Sequence, residues 1–266
     1  MNAIGVQDVK NYWDSRPCNI RHSKAPFGTK TYFDEVEARK YFVEPHIPAF
    51  ADFSRWNGKK VLEVGCGIGT DTMNFARAGA KVSAVDLSTE SLAVARQRAE
   101  VFGLSDRIAF YAANAEELST VVPVEPYDLI YSFGVIHHTP NPRAAILEIM
   151  KYLGPASELR IMLYAKNSWK NLLIELHLAQ PEAQFGCPIA FTYSAGGVRK
   201  LLEGLDVTSI EKDHIFPYRI EPYKQYEYVR AFPWNVMPKP LFGAAERLGG
   251  WHLMIKARKR DVSGGG

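Results

Sequence analysis

Gly65, Gly67 and Gly69 occupy every second position of the run Val61-Leu62-Glu63-Val64-Gly65-Cys66-Gly67-Ile68-Gly69-Thr70, after a short apolar stretch and before a helical one. Glycines in such a strand-to-helix turn permit positive φ and let a ligand approach main chain, and the helix start offers N–H groups to an anion. Asp86 closes a second apolar run, Lys81 to Val85, about twenty residues past the first glycine, where a carboxylate suits a pair of ribose hydroxyls. Together they point to a nucleotide-like ligand. A third group, His137 and His138, ends the run Ser132-Phe133-Gly134-Val135-Ile136. Adjacent histidines point in different directions, and no Cys or acidic partner lies at ligand spacing, so no metal is expected. One histidine faces the reaction site as a base, and the other holds the loop.

These residues need a scaffold that brings strand ends together. Short apolar runs at 61–64, 81–85, 108–112, 127–131 and 158–164 alternate with helical patterns at 70–78, 91–102 and 141–153, which predicts a parallel α/β sheet. Open sheets bind ligands at the carboxyl ends of their strands. Upstream, residues 34–41 and 46–56 read as helices interrupted at Pro45 and Pro48, and 11–33 as an ordered aromatic arm without clear periodicity. Downstream, 167–180 and 194–202 read as helices, and 207–215 and 251–257 as the sixth and seventh strands. Residues 216–250 form an insertion rich in Tyr, Phe, Trp and Pro, too long for a hairpin loop and too aromatic for a linker. It reads as a lid or substrate wall, with an interface in a homodimer as the rival reading.

Glu63-x-Gly65-x-Gly67-x-Gly69 followed by Asp86 resembles the class I S-adenosylmethionine (SAM) methyltransferases, in particular their small-molecule, quinone-methylase-like branch. The resemblance spans roughly residues 55–165. It implies a Rossmann-like, doubly wound, mostly parallel seven-stranded sheet with an N-terminal helical arm. It also implies cofactor contacts from Glu63, Gly65, Cys66, Gly67, Gly69, Asp86, Leu87, Asn114, Ala115, Ser132 and Phe133. Asn114 takes the place of the family's adenine-binding Asp, and capping a helix is its competing role. Main-chain amides over 65–69 would meet the methionine carboxylate, and the carbonyls of Gly65 and Ser132 its ammonium. His138 or His137 would be the catalytic base, with Tyr193, His214 and Tyr218 as lesser candidates. Tyr12, Trp13, Arg16 and Tyr164 join these three as the acceptor-side set, although Trp13 could equally pin the arm to the surface. The chain lacks the Asn/Asp-Pro-Pro-aromatic run of enzymes that methylate exocyclic amines of bases, so a small-molecule acceptor is expected rather than nucleic acid.

Two other functions remain open. An NAD-dependent oxidoreductase would place Gly or Ala at position 70, where this chain has Thr70, and would not ask for Glu63. A non-catalytic SAM-binding or scaffold protein would keep the fold without the chemistry.

Composition sets the bounds. The 266 residues are 47% hydrophobic and 23% charged, with a net charge of +3, an ordinary globular balance. Three widely spaced cysteines, Cys18, Cys66 and Cys187, fit neither a disulfide framework nor a paired metal site. With no apolar run long enough for a bilayer, a reducing, cytoplasmic setting is the expectation. The cluster Lys256, Arg258, Lys259 and Arg260 reads as a solvated chain end rather than a nucleic-acid patch. The expected organisation is an arm with cap helices over 1–56, a SAM-binding domain over 57–260 with insertions at about 165–193 and 216–250, and a flexible tail over 261–266.

Overall fold

A computed structural model describes residues 4–179 and 186–260. The expected tail at 261–266 and residue 180, the last of the helix expected at 167–180, lie outside the described residues, and that helix in fact runs only from Trp169 to Glu175.

The buried apolar runs form the strands β1 (Lys60–Val64), β2 (Lys81–Asp86), β3 (Ile108–Ala112), β4 (Tyr127–Phe133), β5 (Leu153–Ala165), β6 (Thr192–Tyr193), β7 (Leu205–Asp213) and β8 (His252–Lys259). Seven of them lie in the order β3-β2-β1-β4-β5-β8-β7, and the two-residue β6 pairs with β5 off that path. All neighbours run parallel except at β8, which is antiparallel to both β5 and β7. The sheet is therefore mixed. β5 starts five residues before the expected 158, because Leu153 pairs with Tyr127 ahead of a register shift.

Three helices precede the sheet: α1 (Val6–Ser15), α2 (Lys30–Val43) and α3 (His46–Ala51). The crossover helices α4 (Thr70–Arg77), α5 (Thr89–Val101) and α6 (Pro142–Met150) cover the faces of the sheet, followed by α7 (Trp169–Glu175) and α8 (Ala195–Leu201). The insertion holds α9 (Ile220–Lys224) and α10 (Lys239–Gly249). Helix α1 runs into the stretch from residue 11 that shows no clear periodicity in sequence. It buries only Val9 and rests on α5, with Lys10 Nζ 3.3 Å from Thr89 Oγ1.

The core divides between the two faces of the sheet. Leu62, Ile130, Leu159 and Ile255 pack on one side with α6 and α8, and Val61, Leu129, Phe75 and Tyr131 on the other with α3 and α4. Among the described residues, no helix is long and apolar enough to cross a membrane.

Candidate active site

The strand order reverses between β1 and β4, and the glycine turn lies at that point. Gly65 and Gly67 have φ of +83° and +53°, values that glycine adopts without penalty. A Cβ on Gly65 would sit 2.0 Å from Val135 Cγ2, whereas one on Gly67 would meet nothing within 4 Å. Gly65 thus serves close packing against the loop after β4, and Gly67 faces open space. Gly69, also at positive φ, is the N-cap of α4.

Most amides of the turn are committed within the chain. Those of Gly65 and Cys66 donate to the Val85 carbonyl at 2.7 and 2.9 Å, and that of Gly69 to the Cys66 carbonyl at 2.9 Å. Gly67 N–H donates to Asp86 Oδ2 at 2.7 Å. The sequence expectation of amides over 65–69 meeting a carboxylate therefore narrows to those that remain. Asp86 is held from two sides, because Ser88 N–H also donates to its Oδ1 at 2.8 Å. Burial raises its pKa, and these amides oppose that shift.

Glu63 lies beneath the turn, buried, and accepts from Thr72 Oγ1 at 2.5 Å. Burial pushes its carboxyl up to about 8, and the nearby Asp71 carboxylate adds to the shift. Asp71 is itself held by Lys40 Nζ at 2.8 Å and by the Tyr41 and Tyr131 hydroxyls at 2.9 and 3.0 Å. Asn114 caps the short helical turn after β3, its Oδ1 accepting from Glu116 N–H at 3.1 Å, and also lines the cavity. Ser132 is buried and donates to the Val64 carbonyl at 2.9 Å, tying β4 to β1.

The two histidines differ in environment. His138 lines the cavity with its ring 5.5 Å from Trp13, and its Nδ1 lies 2.5 Å from the Ile189 carbonyl. A carbonyl only accepts, so Nδ1 carries the proton and Nε2 the lone pair. His137 is fully buried, finds no hydrogen-bond partner for either ring nitrogen among the described residues, and lies tilted against Tyr164 with ring centroids 3.9 Å apart. Burial, aided by His138, drives its pKa well below the ordinary value.

The glycine turn, Asp86, Asn114 and His138 open onto one cavity of about 1180 Å³. One end is formed by Gly65, Cys66, Gly67, Asp86, Leu87, Asn114, Ala115 and Phe133, and the other by Trp13, His138, Tyr164, Lys170, Trp234 and Trp251. Of the acceptor-side residues expected from sequence, the cavity wall includes Trp13, Tyr164 and His214 but not Tyr12, Arg16, Tyr193 or Tyr218. Of the expected cofactor set, Glu63, Gly69 and Ser132 stand behind the wall. Tyr12 packs edge-on to Trp13 at 4.9 Å, and the Arg16 guanidinium lies 5.4 Å above the Tyr12 ring. Tyr193 is half-buried on β6, where burial raises its hydroxyl to about 12. Tyr218 packs 6.1 Å from Phe42.

The sequence reading did not single out Glu44 and His252, which share a stretch of wall with His214, or His46, which packs against both His214 and His252. They come from the end of α2, the start of α3 and the start of β8, so chain spacing gave no signal for them.

An all-parallel dinucleotide-binding sheet follows the order 3-2-1-4-5-6, whereas here the antiparallel β8 is slotted between β5 and β7. The family described as "Methyltransferase domain" matches residues 56–188, half of the chain. The chain belongs to that family. Its methyltransferase domain is of the class I, SAM-dependent type. It is 40% identical over 101 residues to the ubiquinone biosynthesis O-methyltransferase of Actinobacillus pleuropneumoniae serotype 5b (strain L20), covering 37% of this chain and 42% of the relative. The chain thus spans less than half the length of that curated relative. Among solved structures, magnesium protoporphyrin IX methyltransferase from Synechocystis PCC 6803 superposes with a TM-score of 0.62 at 16% identity, covering 96% of this chain and 99% of that one. Geranyl diphosphate C-methyltransferase from Streptomyces coelicolor A3(2) superposes with a TM-score of 0.61 at 15% identity, covering 96% and 98%. These two likenesses concern the fold.

Proposed function

We propose that this chain moves a methyl group from SAM to an oxygen, nitrogen or carbon nucleophile of a small molecule. The observation that carries the reading is the cavity, which runs without a break from the glycine turn and Asp86 to His138 and the aromatic wall. Its volume of about 1180 Å³ exceeds the roughly 300–1,000 Å³ usual for one small ligand, so a cofactor and an acceptor fit together.

The residues fit the cofactor. Asp86 presents two carboxylate oxygens, each already aligned by one main-chain N–H and each keeping a further lone pair for a ribose hydroxyl. Leu87, Asn114 and Ala115 would border the adenine. The space in front of Gly67, with Phe133 alongside, would receive the amino-acid end. Glu63 and Ser132 act from behind by holding the turn to α4 and to β4. Bound there, SAM would supply a methyl group on a positively charged sulfur.

The chain's own part is to position the nucleophile and exclude water, contributions worth several kcal/mol. His138 would take a proton from a hydroxyl acceptor, and His137 and Tyr164 pack against its ring. Trp13 and the insertion close the cavity over both ligands. Apolar and aromatic side chains dominate the far end, which suits an acceptor with an apolar body.

Calorimetric titration with SAM, S-adenosylhomocysteine and NADH tests the proposal. Binding of the first two and not the third is expected, and the reverse would overturn it. Mass spectrometry of reactions with a panel of phenols, thiols and amines should then reveal a product heavier by one methyl group together with S-adenosylhomocysteine.

A further inference from the structure

We propose that Glu44, His214 and His252 form a site for a divalent transition-metal ion of the zinc class, and that this ion holds the acceptor through a hydroxyl or thiol group. One ligand atom from each residue lies within 4.8 Å of the other two. Around a tetrahedral ion with bonds of about 2.0–2.2 Å, ligand atoms stand roughly 3.3 Å apart, so small side-chain rotations close the set. His214 and His252 are buried, Glu44 is partly buried, and all three face the cavity. The second clause of the proposal rests on the methyl-transfer reading, while the metal site stands on the cluster alone.

The framework is rigid. His252 opens β8 and pairs across the sheet with Asp213, the residue before His214. His214 has φ of +69°, an uncommon conformation for a residue with a side chain, and such conformations collect at functional sites. It is fixed there by Asp213 Oδ1, which accepts the His214 N–H at 2.6 Å, and by the Trp251 N–H, which donates to the His214 carbonyl at 2.8 Å. Glu44 caps the C-terminus of α2, with its Oε1 3.9 Å from His252 Nδ1. His46 Nε2 lies 2.9 Å from His252 Nδ1, so it orients the ring when Nε2 of His252 binds the ion and gives way when Nδ1 does.

The donor set determines the class of ion. Two imidazoles and one carboxylate suit zinc, iron(II) or cobalt(II), whereas magnesium and calcium prefer oxygen ligands throughout. Both imidazoles bind an ion in their neutral form, so binding releases any proton they carry. Three protein ligands leave a position for an acceptor atom. The cluster borders the reacting region, with the His252 ring 5.6 Å from Phe133 and 6.2 Å from Tyr164, the latter packed against His138 at 5.6 Å. Coordination lowers the pKa of a hydroxyl or thiol. Its proton passes to His138, and the lone pair left on oxygen or sulfur forms the bond to the methyl carbon. As that bond forms the methyl–sulfur bond breaks, with its electron pair staying on the cofactor's sulfur.

The test is calorimetric titration of chelator-treated protein with zinc chloride, and with magnesium chloride in parallel, for wild type, Glu44→Gln and His252→Gln. Cobalt(II) absorption spectra would report the ligand set. The expected result is one zinc ion bound at micromolar affinity or tighter, at least tenfold weaker in each variant, with magnesium much weaker throughout. Altered cobalt bands in both variants would agree with it. Absence of zinc binding, or binding that neither variant weakens, would overturn the site. Thermal melts of the variants show whether they remain folded, and Glu44→Gln, the more exposed position, serves if His252→Gln does not. SAM binding measured on the same samples separates the two proposals: SAM bound without zinc sinks only the metal site, and zinc bound without SAM sinks only the methyl-transfer reading.

Discussion

The cofactor end and the acceptor end of the cavity are built by different means. The first is main chain at the edge of parallel strands, with glycines where side chains would intrude and one carboxylate clasped by two amides. The second is a wall of side chains drawn from the arm, α7, the insertion and the start of β8. A main-chain site depends on local geometry that few residues satisfy, whereas a side-chain wall can change member by member. The two ends should therefore respond differently to mutation.

The largest effect should come from His138, where the two ends meet. His138→Gln should lower turnover of a hydroxyl acceptor by about 10²–10⁴ with SAM affinity nearly unchanged, as steady-state rates and calorimetry would show. Equal loss of both would make the ring a structural part. Next is Gly65→Ala. The conformation at φ +83° and the contact with Val135 should together cost about 2–5 kcal/mol in urea denaturation, and a neutral outcome would mean that the turn is more adaptable than its packing implies. Asp86→Ala should weaken SAM binding by one to two charged hydrogen bonds, each about 1.5–3 kcal/mol. Unchanged affinity would remove Asp86 from the ribose site. The smallest effect belongs to the wall: Phe232, 80% exposed at the cavity rim, can become Ser with stability altered by no more than about 0.5 kcal/mol. Only the KM for the acceptor should move, and a change in SAM affinity would blur the division.

The supports of the two ends also titrate in opposite senses. The Glu63 carboxyl is raised from 4.5 to about 8, so the folded state holds its proton more tightly than the unfolded chain. That stability is complete below 4.5 and is lost as the pH rises toward 8. His22 and His46, at the cover and the far wall, are lowered by burial from 6.5 to about 4. Their contribution is present above 6.5 and is lost as the pH falls through 4. Melting temperature against pH should fall on both flanks, and Glu63→Gln should flatten the alkaline one.

The same division explains what the sequence revealed. The parallel strands, the crossover helices and the cofactor turn are local patterns, each contained in ten to twenty residues of periodicity or glycine spacing. The expected start of β5 at 158 was late, because Gly154 and Pro155 resemble a stop but are carried in the strand. Helix α1 gave no clear apolar stripe, since it buries a single residue. The far wall was the least legible. Glu44, His214 and His252 are separated by 170 and 38 residues, and only the pairing of β7 with β8 and the packing of α2 bring them together.

Helix α2 carries neighbouring residues with opposite duties. Arg39 lies 4.3 and 4.0 Å above the rings of Tyr223 and Tyr226 in the insertion and donates to the Tyr223 carbonyl at 2.6 Å, while Lys40 grips Asp71 in the first turn of α4. A ligand that reorders the insertion thus pulls on the same rod that steadies the floor under the glycines. Thermodynamic reciprocity then requires each ligand to change the other's affinity by one common factor, and independent affinities would mean that the rod transmits nothing.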